Sequence, residues 1–162
     1  MRKALPDIWR KRAVNWLSLL VLALVMLVFG KHLHERLTEA EATAVRVMLN
    51  NLRSQLVIEQ GTAMAKQRGD MLERVENQNP FELTANVPDG FEGQCPARAE
   101  DQSLGSWCYA PEEGVIYYQP RFGPALPGIR GENGRHGWRL ELDRDRPGMP
   151  ELRLTPVAND GK

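Results

Sequence analysis

Apolar residues run without a charge from residue 13 to residue 30, AVNWLSLLVLALVMLVFG. At about 1.5 Å per residue that is roughly 27 Å of helix, and a hydrocarbon core of about 30 Å asks for about 20 such residues. The pattern predicts a membrane-spanning helix. The polar Asn15 and Ser18 lie near one end, and Trp16 suits the headgroup interface. A buried core helix would show a polar face, and this run has none. A cleaved signal peptide is the alternative, with Val28-Phe29-Gly30 as a loose small-residue site. Against it, the run exceeds the usual apolar length of such peptides, and Lys31-His32 continues the helical pattern directly.

From residue 31 to about residue 78 the chain is rich in Glu, Arg, Ala, Leu and Gln and contains no proline. These are strong helix formers. Apolar positions recur at Leu33, Leu37, Ala40, Ala44, Val47 and Met48, then at Leu52 and Leu56, the three-and-four spacing of one helical stripe. The stripe resumes at Met71, Leu72 and Val75. Gly61 and Gly69 each weaken a helix by about 1 kcal/mol relative to Ala, so a kink or break is expected there. Asn79-Pro80 ends the helix, because proline disfavours the α region for the residue before it. The proximal residues Leu33, Leu37, Ala40 and Ala44 have no obvious cover within the chain and are candidate partner contacts.

Beyond residue 78 the helical period disappears. Residues 79 to 114 carry prolines and glycines and read as an ordered loop region. Short strands follow. Val115 to Tyr118 is the first. Trp138 to Asp143 alternates, with Trp138, Leu140 and Leu142 on one face, and Glu151 to Thr155 alternates with Leu152 and Leu154 inward. Pro147-Gly148 joins the last two as a hairpin. One apolar face per strand is the pattern of an antiparallel sheet covered on one side, and the helix stripe is the available cover. The expected fold is α+β: a long N-terminal helix, transmembrane and then amphipathic, packed on a small antiparallel β-meander. The expected organisation is a basic tail (1–12), a span (13–30), an amphipathic helix (31–78) and a small β head (79–162). Within the head, the Pro- and Gly-rich segment 119–137 holds Phe122, Leu126 and Ile129. Long loops of this kind are often functional or disordered, which makes those three residues candidate partner contacts as well.

Charge sets an orientation. Arg2, Lys3, Arg10, Lys11 and Arg12 oppose Asp7 alone, a net of +4 before the span, so the remainder of this neutral chain carries −4. Basic flanks stay cytoplasmic, which would leave the head on the far side of the membrane. No basic patch interleaved with aromatics follows the span, so nucleic acid is not an expected partner. The two cysteines, Cys95 and Cys108, both fall in the head. An even count in an oxidising compartment reads as a disulfide, worth about 3 kcal/mol for a loop of this length. Two free buried thiols are the alternative.

The candidate chemistry is sparse. His32 and His34 sit roughly 200° apart on a helix and do not converge on one ion, and His136 lies far away in a Gly-rich loop. Glu35, Glu39, Glu41, Glu59, Asp70, Glu73 and Glu76 read as a solvated helix face. Trp107 and Tyr109 flank Cys108 and are expected to pack over the disulfide and against the sheet. No phosphate-binding loop and no Ser-His-Asp arrangement stands out. The expectation is therefore no catalytic residue, no metal and no cofactor.

Four short motifs follow the helix in order: Asn79-Pro80; Pro88, Phe91 and Gly93; Gly105, Trp107 and Tyr109; Gly114, Ile116 and Tyr118. Their order and spacing over about 40 residues, behind a helix of this length, resemble the pilin-like proteins of the mannose-sensitive haemagglutinin type. The layout is similar to that of type IV pilins and the pseudopilins of type II secretion. One feature departs from the pattern. Prepilins carry Gly or Ala at the cleavage point, then usually Phe, with Glu at the fifth mature position. The nearest alignment here gives Ala13, Val14 and Ser18, without the glutamate. The resemblance thus implies a pilin-like protein that keeps its anchor in a bacterial inner membrane, with a periplasmic head. It further implies an accessory role in pilus or secretion assembly, with the bilayer and other pilin-like or assembly-platform membrane proteins as partners. A membrane-anchored periplasmic sensing or ligand-binding module is the second reading.

Overall fold

A computed structural model describes residues 7–65, 78–83, 87–129, 134–143 and 151–157. Helix α1 spans Asp7–Ala65. Strands β1 (Phe91–Gln94), β2 (Ser106–Ala110), β3 (Val115–Gln119), β4 (His136–Asp143) and β5 (Glu151–Val157) follow, with a 3-10 turn at Ala99–Asp101 between the first two. The chain divides into two units, Met1–Leu37 and Thr38–Lys162.

In the first unit, every residue from Val14 to Leu37 is exposed, including Leu20 and Leu27. This is one helix long and apolar enough to cross a membrane. Leaving so many large apolar side chains in water would cost about 1.5–3 kcal/mol for each.

In the second unit, the five strands form one sheet in the order β1-β2-β3-β4-β5. The last four are joined antiparallel, but β1 pairs with β2 in parallel. The sheet is therefore mixed, where a purely antiparallel meander was expected. The region 79–114 is likewise not all loop, since it supplies both β1 and β2. A parallel pair needs a crossover, and residues 95–105 with their 3-10 turn provide a short one.

Alternation on the strands sets two faces. Trp107, Ile116, Tyr118, Trp138, Leu140, Leu142, Leu152 and Leu154 share one buried cluster with Ala42, Val45, Leu49, Leu52, Leu56 and Ala63 of α1. Cys108, Val115 and Tyr117 form a second cluster on the opposite face. Leu52 and Leu56 are core residues as expected, each 1% exposed. Met48 of the expected stripe packs against the same cluster. Ala40, Ala44 and Val47 are exposed, and the sheet-facing positions are Glu41, Ala42, Val45 and Leu49. Gly61 does not end the helix, which continues to Ala65. Gly69, Met71, Leu72, Val75 and the Pro147-Gly148 turn lie outside the described residues.

The motif residues turn out to build the core. Asn79 Oδ1 accepts the Phe81 N–H at 3.1 Å, and the Asn79 carbonyl accepts the Glu82 N–H at 3.1 Å. This Asx turn drives Phe81, fully buried, into the cluster. Its ring meets Phe91 at 5.1 Å and Trp107 at 5.6 Å, both edge-on. Trp107 in turn meets Tyr118 at 4.7 Å and Trp138 at 5.6 Å. Gly93, Gly105 and Gly114 hold positive φ angles of 85°, 77° and 65°, which other residues adopt only under strain. Two side chains of the helix reach the far edge of the sheet. Gln60 Oε1 accepts the Leu152 N–H at 3.3 Å, and Arg53 Nη2 donates to the Leu154 carbonyl at 3.5 Å.

Candidate functional site

Two surfaces of the second unit stand out. The first is the helix face turned away from the sheet. Ala40, Ala44, Val47, Asn51, Ser54 and Ile58 are spaced alternately by four and three residues, and all are exposed. Gly61 and Ala65 continue the series. None of these positions carries a charge. The charged residues of this stretch, Glu39, Glu41, Arg46, Arg53 and Glu59, all lie off it. Val47 is 53% and Ile58 64% exposed. Exposed helix faces are ordinarily polar or charged, so this one does not match a purely solvated surface. In the first unit, Leu33 and Leu37 are exposed as well.

The loop after β3 is placed by three side chains of α1. Glu41 accepts from the Tyr118 hydroxyl at 2.7 Å, from the Arg121 N–H at 2.7 Å and from the Phe122 N–H at 3.1 Å. Thr38 Oγ1 donates to the Phe122 carbonyl at 3.3 Å, and Arg46 Nη2 donates to the Pro127 carbonyl. Glu41 is thus buried and fully engaged, which corrects its assignment to a solvated face. Burial first, and then the hydrogen bond to Glu41, push the Tyr118 hydroxyl well above its ordinary pKa. The same clamp changes the reading of the loop candidates. Leu126 is 2% exposed and part of the core, so it is not available to a partner. Phe122 is half-buried, and Ile129 packs against the core cluster. Of the seven candidate contacts, Leu33, Leu37, Ala40 and Ala44 are exposed, Phe122 and Ile129 are half-buried and Leu126 is buried. Residues 130–133 lie outside the described residues.

The second surface is a groove of about 590 Å³ on the opposite face of the sheet, walled by Gln94, Cys95, Pro96, Glu113, Tyr117 and Arg135 among others. Cys95 and Cys108 are joined there as a disulfide with Cα atoms 4.8 Å apart. The expected bridge is present. Trp107 and Tyr109, however, point to the helix side of the sheet with the core cluster, so they do not pack over it. Tyr117 takes that place. Its ring can lie close because its cross-strand partner is Gly137, where a Cβ would come within 2.8 Å of the Tyr117 ring. The Tyr117 hydroxyl donates to the Glu113 carboxylate. Burial, followed by that bond, pushes its pKa up to about 12. The Arg135 guanidinium lies 4.6 Å from the Tyr117 ring centroid, and Arg135 Nη2 is 3.3 Å from Cys108 Sγ.

Among the described residues no group of three or more His, Cys, Asp or Glu side chains converges as a metal site would require. His32 meets Glu35 at 3.6 Å on the exposed helix. His136 is buried and stacked on Trp138 at 6.3 Å between ring centroids. Comparison with protein-family models, with curated proteins and with solved structures finds no match for this chain.

Proposed function

We propose that this chain is a single-pass, pilin-like accessory protein of a bacterial inner membrane, acting structurally in type IV pilus or type II secretion assembly. Its basic N-terminus lies in the cytoplasm and its head in the periplasm, following the charge asymmetry about the span. Its partners are the lipid bilayer and other pilin-like or assembly-platform membrane proteins. The observation that carries the reading is the two-faced helix between Thr38 and Ala65. One face is used up on the chain's own sheet. The other is exposed, free of charge and rich in small residues, the composition that lets two helix backbones approach closely. Such a surface works by contact and performs no reaction.

The test separates contact from folding. Ala40→Glu and Ala44→Glu each place a charge on the open face and should abolish pilus or secretion output while the protein stays abundant and membrane-bound. Full output from both at normal protein level would remove the reason for an assembly role. A reporter fused after Lys162 should be active only outside the cytoplasm, and cytoplasmic activity would overturn the orientation. The second reading, an anchored sensing or ligand-binding module, draws on the mixed-charge groove at Glu113 and Arg135. It predicts no effect from either alanine substitution, because its anchor need only span.

A further inference from the structure

The two sulfurs of the bridge meet different surroundings. Cys108 is fully buried at the middle of β2, whereas Cys95 is only partly buried and forms part of the groove wall. Arg135 Nη2 reaches Cys108 Sγ at 3.3 Å. The Arg135 Nε is buried without a hydrogen-bond partner among the described residues. Glu113, the carboxylate that bears on this guanidinium, is already engaged by the Tyr117 hydroxyl. A partly buried cation with an occupied counter-ion gains from any new negative charge formed beside it.

We propose that this bridge is a thiol-exchange site of fixed direction, in which an incoming thiolate enters the groove and attacks Cys95 Sγ while Cys108 departs as a thiolate beside Arg135. A new S–S bond forms between the incoming sulfur and Cys95. The Cys95–Cys108 bond breaks, and its electron pair goes to Cys108 Sγ. The incoming thiol is the reductant, and its proton has already passed to solvent. A second equivalent attacks the mixed disulfide and leaves two protein thiols plus the disulfide of the reagent. The reverse sequence closes the bridge.

Two rules give the direction. Exchange follows access to the attacked sulfur, and it is faster when the departing thiol is the more acidic one. A neighbouring cation makes a thiol more acidic. Access selects Cys95 for attack, and Arg135 selects Cys108 as the leaving group, so both rules agree. Glu112 and Glu113 beside the groove favour a cationic thiol over an anionic one. The inference rests on the head fold and the groove, and it is independent of any role in assembly.

The test uses the full-length protein in detergent micelles under native conditions. Limiting cysteamine is added, the reaction is quenched rapidly with excess N-ethylmaleimide, and the two cysteine peptides are mapped by mass spectrometry. Cysteamine should sit on Cys95 and maleimide on Cys108, outnumbering the inverse pattern by about tenfold. The inverse pattern, an equal partition, or a bridge that resists cysteamine until the protein is denatured would each overturn the proposal. Arg135→Gln should slow native reduction by about tenfold and Arg135→Lys should restore most of the rate, because the effect is one of charge. All three proteins should be reduced equally fast in concentrated urea, which removes folding differences from the comparison. A native rate unchanged in Arg135→Gln would also overturn it.

Discussion

The Glu41 carboxylate on α1 accepts the Tyr118 hydroxyl of β3 at 2.7 Å, and it takes two backbone N–H groups from the loop that follows. One buried acid therefore ties helix, strand and loop together. Removing it leaves three donors without their acceptor, each costing about 1–3 kcal/mol where water cannot replace it. Glu41→Ala should destabilise the head by about 3 kcal/mol or more, and Tyr118→Phe by about 1–2 kcal/mol. Urea unfolding of both variants, followed by tryptophan fluorescence, checks the order. Equal stability of Glu41→Ala and the parent would deny the clamp its role.

Alkali should weaken the fold through the tyrosines. Tyr117 is raised from about 10 to about 12, and Tyr118 is raised further in the same direction. A group whose pKa is higher in the folded state keeps its full contribution below the unfolded value and loses it as the pH climbs towards the folded one. Stability should therefore be flat across the neutral range with respect to these two groups and should fall from about pH 10 upwards. Tyr117→Phe should flatten that fall. The measurement is the urea midpoint as a function of pH, read beside tyrosinate absorbance.

The two helix faces should respond oppositely to truncation. Leu52→Ala and Leu56→Ala empty sites that are 1% exposed and should each cost about 2–5 kcal/mol. Val47→Ala and Ile58→Ala, on the open face, should change stability by less than about 0.5 kcal/mol. Thermal or urea unfolding of the four variants decides. A large loss from Val47→Ala would mean that this face is covered within the chain.

The bridge should be fully formed in purified protein. Cys108→Ser should lower the stability of the head by about 2–4 kcal/mol. Thiol titration before and after denaturation, with an unfolding curve for the variant, tests both parts of that expectation.

Where one residue type follows its usual burial, the sequence is easy to read. The alternation of Trp138, Leu140 and Leu142 predicts β4, that of Leu152 and Leu154 predicts β5, and the two cysteines predict their bridge. The helix stripe misleads at Glu41, a charged residue in a core position, and at Val47, apolar by type but exposed. Strands β1 and β2 are hidden for another reason. β1 is four residues long with Gly93 at positive φ, and β2 is apolar towards both faces, with Trp107 on one side and Cys108 on the other. Neither shows a period of two. The loop candidate Leu126 is apolar and lies between prolines, and nothing local tells a tucked side chain from an exposed one. The groove has no local signal, because Arg135 reaches Cys108 from a distant part of the sequence and only the fold brings the two together.

The hydrogen bonds from Gln60 and Arg53 to β5 have a consequence for how copies of this molecule can meet. A strand arriving from a neighbour adds to a sheet by taking over unpaired backbone groups at its border. At β5 the Leu152 N–H and the Leu154 carbonyl are already spoken for by the helix, so an intruding strand must first displace two side chains. Growth by strand addition is obstructed on that flank. Neighbouring copies are therefore less prone to zip into a continuous sheet through β5, and the helix whose side chains occupy this border is the same one that leaves its other side open.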